Sequence, residues 1–344
     1  MDPSMPSGRR SRKRKSSRLS ARYLLVRVFS LVVTFWLAAT LDFALPRLAG
    51  GDPAQYLAST TSIGSPSVVA ALRKEFGLRS GSPLTQYWDY LRQLLHGNLG
   101  ISYEYYPETV GHVLLAALPY TVALVLSAVV LSYAVGWALG VISAWRHRSL
   151  FDEMSVGVSF FFTGVPYFWI ALLLVFVFSF LLGWFPSGHA FSVSYQSGSA
   201  VSVVFDAIYH GLLPVASLVL TSVAGHLLIM RNNMLSVLKE DYITLARAKG
   251  LHGRTLLFKY AARTAMLPSF TGLMLALGTV VGGAIVTEEV YSYPGLGFTV
   301  YNAILNHDYP LIQGGFLLIA AVVIVLNFVA DLVYPLLDPR VVIA

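Results

Sequence analysis

Four acidic residues stand in or beside the long apolar runs of this 344-residue chain: Asp42, Glu288, Glu289 and Asp331. An ionised carboxylate inside a bilayer is costly unless paired or hydrated, so such groups are the first candidates for ion-coupled chemistry. Here they cluster towards the ends of the runs, which favours interfacial or helix-packing roles over an ion-coupled carrier. Bond-making chemistry finds still less support. There is no Gly-Lys dipeptide, hence no phosphate-cradling Walker loop, and no HExxH zinc pair or GxSxG nucleophile elbow. The eight histidines are scattered, and Gly295-Leu296-Gly297 is followed by Phe298 instead of the aspartate of an intramembrane protease. The chain has no cysteine, which excludes disulfides, Cys-ligated zinc and a thiol nucleophile. A non-enzymatic protein is expected, with no catalytic residue, cofactor or metal.

The segment from Lys239 to Pro268, KEDYITLARAKGLHGRTLLFKYAARTAMLP, suits a different task, which is docking. It is charged and helix-favouring between two apolar stretches, and its neighbourhood holds Arg231, Lys239, Arg247, Lys249, Arg254, Lys259 and Arg263. Tyr242, Leu245, Ala246 and Lys249 recur at i, i+3, i+4 and i+7, the spacing of one helical face. Ala246, Ala248 and Gly250 are small enough to let another surface approach the backbone, and Gly250 can take the left-handed conformation that ends a helix. A second candidate runs from Glu288 to Pro310, EEVYSYPGLGFTVYNAILNHDYP. Pro294-Gly295 suits the centre of a type II turn. A short apolar helix around 298–305 would then re-enter the outer leaflet. Non-helical backbone at that depth must be buried in protein or line a cavity. Glu288, Tyr291, Pro294, Gly295 and Gly297 are therefore candidates for an outer-mouth or pathway loop.

The elements that must position these segments are membrane spans. The chain is 56% hydrophobic and 12% charged, with a mean hydropathy of +0.66, against about 25% charged residues in soluble domains. A span needs roughly 20 mostly apolar residues, and stretches at 23–46, 113–145, 154–183, 208–230, 268–290 and 311–337 qualify. The second, at about 50 Å of helix, must tilt, bend near Pro119 or project beyond a hydrocarbon core of about 30 Å. Gly136 and Gly140 in that span form a small-xxx-small face suited to close helix packing.

Orientation follows from Lys and Arg, of which the chain has 24. The N-terminal arm and span entry carry Arg9, Arg10, Arg12, Lys13, Arg14, Lys15, Arg18, Arg22 and Arg27. Arg146, Arg148, the seven basic residues above and Arg340 fall on the same side. Only Arg47, Arg73, Lys74, Arg79 and Arg92 fall on the other, which predicts cytoplasmic termini. The basic arm reads as an orientation signal beside the first span, in contact with anionic lipid, in preference to a nucleic-acid tail. Its apolar stretch also exceeds that of a cleaved signal peptide.

Between the first two spans, 47–112 is too long for a bare connector. VVAALRKEFGL places Val69, Leu72 and Phe76 on one helical face, and PLTQYWDYLRQLLHGNLG reads as a second helix with a Gly/Asn-rich stop. Together they predict a small helical cap over the outer mouth, with Tyr87, Trp88 and Tyr90 as interfacial anchors. The loop at 184–207, rich in Ser, Tyr and Gly, reads as a plain connector.

Over nearly its whole length the chain resembles the first permease subunit of dipeptide/oligopeptide ABC importers. The stretches that carry the resemblance are LPRLAGGDPA, HGNLGISY, ALPYTVALVLSAVVLSYAVGWALGVISA, GVPYFWIALLLVFVFSFLLGWFPSG, DYITLARAKGL, RTAMLP, GGAIVTEEVYSYPGLGFTVYNAILNHDYPLIQG and LVYPLLDPR, in that order. The resemblance implies an all-α polytopic protein of six transmembrane helices, the type I ABC importer permease fold. It implies a multi-pass protein of the cell membrane, paired with a second homologous permease, two cytoplasmic ATP-binding subunits and an extracytoplasmic solute-binding protein. Asp241, Tyr242, Ala246, Arg247, Ala248, Lys249, Gly250 and Leu251 match the family's ATPase-coupling loop. The general importer consensus opens that loop with Glu-Ala-Ala, where this chain has Thr244-Leu245-Ala246, a departure shared with peptide-type permeases.

The expected organisation is a basic arm at 1–22, a first span at 23–46 and an extracytoplasmic helical loop at 47–112. A five-helix core at 113–338 follows, with the coupling loop at 231–267 and a cytoplasmic tail at 339–344. The resemblance favours di- and oligopeptides as cargo, with oligosaccharides and then nickel behind them. An ion-coupled secondary transporter is the alternative of a different class.

Overall fold

A computed structural model describes residues 21–49, 82–192 and 199–337, and nearly all of them are helical. The helices are α1 (Ala21–Ala49), α2 (Pro83–Leu95), α3 (Val110–Trp145), α4 (Leu150–Gly164), α5 (Tyr167–Leu174), α6 (Ala200–Val237), α7 (Asp241–Ala248), α8 (Arg263–Val290), α9 (Leu296–Leu305) and α10 (Tyr309–Leu337). Wider π-helical turns continue α5 (π1, Val175–Leu181) and lead into α8 (π2, Thr255–Ala262). Leu25–Ala44, α3, α6 and Tyr309–Val329 are each long and apolar enough to cross a membrane, and α4 with α5–π1 make a broken fifth. α8, 28 residues long, carries the remaining expected stretch. The fold is all-α and polytopic, as the type I permease fold requires.

The spine of the bundle is the pair α3 and α6, which pack together more extensively than any other elements. The glycines of α3 explain how closely they approach. A Cβ on Gly136 would lie 2.6 Å from His226 Cβ, and one on Gly140 would lie 2.7 Å from the Leu227 carbonyl oxygen. Beside them Tyr133 stacks on His226 with ring centroids 3.6 Å apart. α8 packs on α3, α6 and α10, and α1 lies against α10. α3 continues unbroken through Pro119 and begins at Val110, three residues before the expected span.

The expected single span at 154–183 is instead two helices bent by 98° at Gly164–Pro166. Pro166 has no N–H to donate, and a residue before proline is pushed out of the α region. Val165 accordingly sits at φ −90°, ψ 130°. The expected coupling loop at 231–267 is also shorter, because α6 runs on to Val237 and helical backbone resumes at π2.

Part of the 47–112 segment is described. α2 is capped by Ser82, which accepts from the Thr85 amide, and Pro83 occupies its first position. Its tyrosines hold it to α1. Phe43 meets the rings of Tyr87 and Tyr90 at 5.2 and 5.5 Å, and Tyr87 Oη lies 2.7 Å from Thr40 Oγ1. Of the three expected anchors, Trp88 alone stays largely exposed. The expected helix with Val69, Leu72 and Phe76 lies outside the described residues.

Candidate functional site: the α7 helix and its supports

A helix of eight residues is too short to be stable alone, so what fixes α7 decides what it can transmit. Ile243 and Ala246, three residues apart, are both buried. They enter a cluster with Met230 and Met234 of α6, Val141 and Ala144 of α3, and Leu256 and Ala261 of π2. Burying an isoleucine side chain contributes roughly 1.5–3 kcal/mol, so α7 is fastened to the spans. Its C-terminus is closed by a Schellman motif. The Gly250 amide donates to the Arg247 carbonyl at 2.9 Å and the Leu251 amide to the Ala246 carbonyl at 3.1 Å. Gly250 sits at φ +82°, the left-handed conformation expected of it.

The other face of α7 is bare. Tyr242 and Leu245 are exposed apolar groups, and Asp241, Thr244, Arg247, Ala248, Lys249 and Gly250 are exposed around them. The expected face of Tyr242, Leu245, Ala246 and Lys249 therefore divides. Ala246 turns into the core because it shares the inward side with Ile243, while Tyr242, Leu245 and Lys249 stay outward. Leu251 is half-buried against the same core. A Cβ at Gly250 would meet only His252 Cε1 at 3.9 Å, so a partner could approach its backbone.

At the opposite end of the bundle the second candidate is a knot of buried groups. Glu288, near the end of α8, is fully buried. Its Oε1 accepts from Thr121 Oγ1 of α3 at 2.6 Å, and its Oε2 accepts from the Gly297 and Phe298 amides at 2.6 and 3.2 Å. Thr121 Oγ1 in turn accepts from the Leu296 amide at 2.7 Å. The three orphan N–H groups of the first turn of α9 thus all find acceptors, and a carboxylate faces the positive end of its dipole. Tyr291 is buried and donates to the Ala171 carbonyl, while its own carbonyl accepts from His189 at 2.9 Å.

The expected type II turn at Pro294-Gly295 does not form. Gly295 is extended at φ −93°, ψ −177° and caps α9, and the left-handed residue is Ser292 at φ 45°. Glycine is needed for space: a Cβ at Gly295 would collide with the Glu288 carboxylate, and one at Gly297 with the Ile285 backbone. Tyr291, Gly295, Gly297 and Glu288 are buried and Pro294 half-buried. These side chains brace this end of the bundle.

Residues 136–343 match the family described as binding-protein-dependent transport system inner membrane component. The chain belongs to this family. It is 36% identical to the di/tripeptide transport system permease protein DppB of Pseudomonas aeruginosa, covering 93% of this chain and 98% of that one. The oligopeptide transport system permease protein AppB of Bacillus subtilis is 33% identical over 93% and 99% of the two chains. The dipeptide transport system permease protein DppB of Escherichia coli K12 is 34% identical over 93% and 98%.

Three polar clusters of this transport component were not legible in its sequence. At the α7 end, Asp152 of α4 is buried and held by Arg231 of α6, Nε to Oδ1 at 2.6 Å and Nη2 to Oδ2 at 2.8 Å. Ser143 Oγ and the Arg148 amide also donate to it, at 2.5 and 3.0 Å. Arg231 is thus committed to a bundle contact and does not belong to a free basic surface.

At the α9 end, Asp308 caps α10 and its Oδ2 accepts from Ser102 Oγ and the Tyr103 and Glu104 amides at 2.5, 2.8 and 3.0 Å. This fastens the 101–109 turn, itself closed by an Ile101–Thr109 bridge. Burial raises the pKa of the neighbouring Tyr105 hydroxyl, with the Glu104 and Asp308 carboxylates adding to the effect. The loop after π1 is no plain connector either: the Ser192 amide and hydroxyl donate to Asp206 at 2.7 and 2.8 Å.

Proposed function

We propose that this chain forms one half of the translocation pathway of an ATP-driven importer for di- and oligopeptides. The observation that carries the proposal is α7, whose exposed Tyr242–Leu245 face is unpartnered while its other face is rooted in three elements of the bundle. The permease itself hydrolyses nothing. Two cytoplasmic ATP-binding subunits receive α7, a second homologous permease completes the pathway, and an extracytoplasmic binding protein delivers cargo at the α9 end. Both termini are cytoplasmic on this reading. ATP-driven closure of the ATPases moves α7, and the Ile243–Ala246 anchorage passes the motion to α3, α6 and π2. The docking contacts are Asp241, Tyr242, Arg247, Ala248, Lys249 and Gly250, with Leu245 added and with Ala246 and Leu251 as the anchorage. The names of the relatives support peptides as cargo.

Reconstitution of the complete transporter in proteoliposomes with its binding protein tests this. Labelled tripeptide should accumulate only with ATP, and unlabelled peptides should compete while oligosaccharides and nickel do not. Competition by oligosaccharide alone would overturn the assignment of cargo, and ATP-independent, ion-driven uptake would overturn the importer class.

A further inference from the structure

The break between α4 and α5 leaves backbone groups open where a membrane-embedded helix has none. Pro166 has no N–H, no side chain caps α5, and the Trp169 and Ile170 amides both turn back to the Pro166 carbonyl. Among the described residues, the amides of Val165, Tyr167 and Phe168 and the carbonyls of Phe162, Thr163 and Gly164 therefore have no hydrogen-bond partner in this chain. Thr163, Gly164 and Pro166 are also exposed. The Thr163 hydroxyl does not help, since it donates back to the Ser159 carbonyl.

The depth of this break follows from what α4 touches. Asp152 begins the helix beside Arg231 of α6, and Phe162 near its end lines a groove with Val219 of α6. The rise along α6 from Arg231, just past the apolar run 208–230, to Val219 is about 18 Å, which puts the break inside a hydrocarbon core of roughly 30 Å spanned by that run. Lipid tails cannot satisfy open N–H and C=O groups at that depth. A partner's helix cannot do so with its backbone, whose groups are already paired internally. Water can, and so can an extended peptide, which carries donors and acceptors in alternation. Beside the break, a groove between α3, α4 and α6 that reaches Phe162 holds about 440 Å³ and is lined mainly by apolar side chains.

We propose that the Gly164–Pro166 break is a wall of the water-filled pathway, where its open amides and carbonyls pair with the backbone of the passing peptide. Pairing with main chain and not with side chains would let peptides of different sequence pass. The inference rests on the peptide-permease reading, and its test separates the two.

The chain has no cysteine, so single cysteines can be introduced directly. A Cβ at Gly164 meets nothing within 4 Å, which makes Gly164→Cys and Thr163→Cys mild changes. Each is assembled in the complete transporter and exposed to a membrane-impermeant methanethiosulfonate, which reacts with the thiolate formed in water. Gln93→Cys, exposed on α2 and away from α7, supplies the open-solvent rate. Both break positions should react within about a hundredfold of that reference, and saturating tripeptide with binding protein should slow them severalfold. No reaction at either position, in transporters that still import peptide, would overturn the proposal and leave the permease reading standing. Rapid reaction without protection by peptide would overturn the backbone-pairing role. Failure of the transporter with the unsubstituted chain to import any peptide would instead sink the permease reading.

Discussion

Arg231 and Asp152 meet as a bidentate pair that joins α6 to the first turn of α4, 79 residues apart in sequence. The carboxylate is buried, the Ser143 hydroxyl and the Arg148 amide also donate to it, and His147 Nδ1 lies 3.1 Å away. Because α6 also supplies Met230 and Met234 to the α7 anchorage, this pair stiffens the base on which α7 stands.

Removing one partner of such a pair strands a buried charge, which costs about 3–5 kcal/mol. Arg231→Met and Asp152→Leu should each lower the unfolding temperature of the detergent-solubilised protein sharply. The double variant should recover most of the loss, since an apolar pair leaves no unpaired charge. Thermal melts of the four proteins check this.

The close approach of α3 and α6 gives a second contrast. Gly140→Ala places a methyl group 2.7 Å from the Leu227 carbonyl oxygen and 2.8 Å from Met230 Cβ, whereas Gly225→Ala on α6 meets nothing within 4 Å. Overpacking costs about 1–3 kcal/mol. Gly140→Ala should therefore destabilise the bundle, and Gly225→Ala should leave its melting temperature unchanged or slightly raised.

Glu288 and Thr121 give a third. Thr121→Val keeps the shape of the side chain but removes the donor to Glu288 and the acceptor of the Leu296 amide. Leaving buried polar groups unsatisfied costs about 1–3 kcal/mol. Thr121→Ser restores both bonds and should retain most of the stability. Hydrogen exchange at the start of α9 should accelerate in the valine variant and not in the serine one.

The spans were legible because each is a long apolar run, and the α7 cap because Gly250 follows a helix-favouring, charged segment directly. Local chemistry of that kind is written in neighbouring residues. Gly295 shows the limit: next to proline it suits a turn, but its role is to leave space for a carboxylate that returns from α8. Pro166 was equally visible, yet the apolar run from 154 to 183 is long enough to cross as one helix, so length masked the break. Asp152–Arg231 and Ser102–Asp308 depend on pairing across the fold, with the partners 79 and 206 positions apart in sequence. No local pattern announces them.

On the proposed function, the outward face of α7 docks the ATPase and its inward face carries the motion to the spans. Leu245 is 56% exposed and Gly250 lies at φ +82° in the closing turn. The measurement is ATP-driven tripeptide uptake together with co-purification of the ATPase, for wild type, Leu245→Asp, Gly250→Ala and Gly250→Asp. All four chains should insert in the membrane equally, because no span is altered. Leu245→Asp and Gly250→Asp should lower uptake by about tenfold or more, equivalent to about 1.4 kcal/mol, through loss of the ATPase or of its response to loaded binding protein. Gly250→Ala should fall between them and wild type, as the residue strained by its φ but least obstructive to a partner. Wild-type uptake with a normal ATPase yield in both aspartate variants would contradict the account.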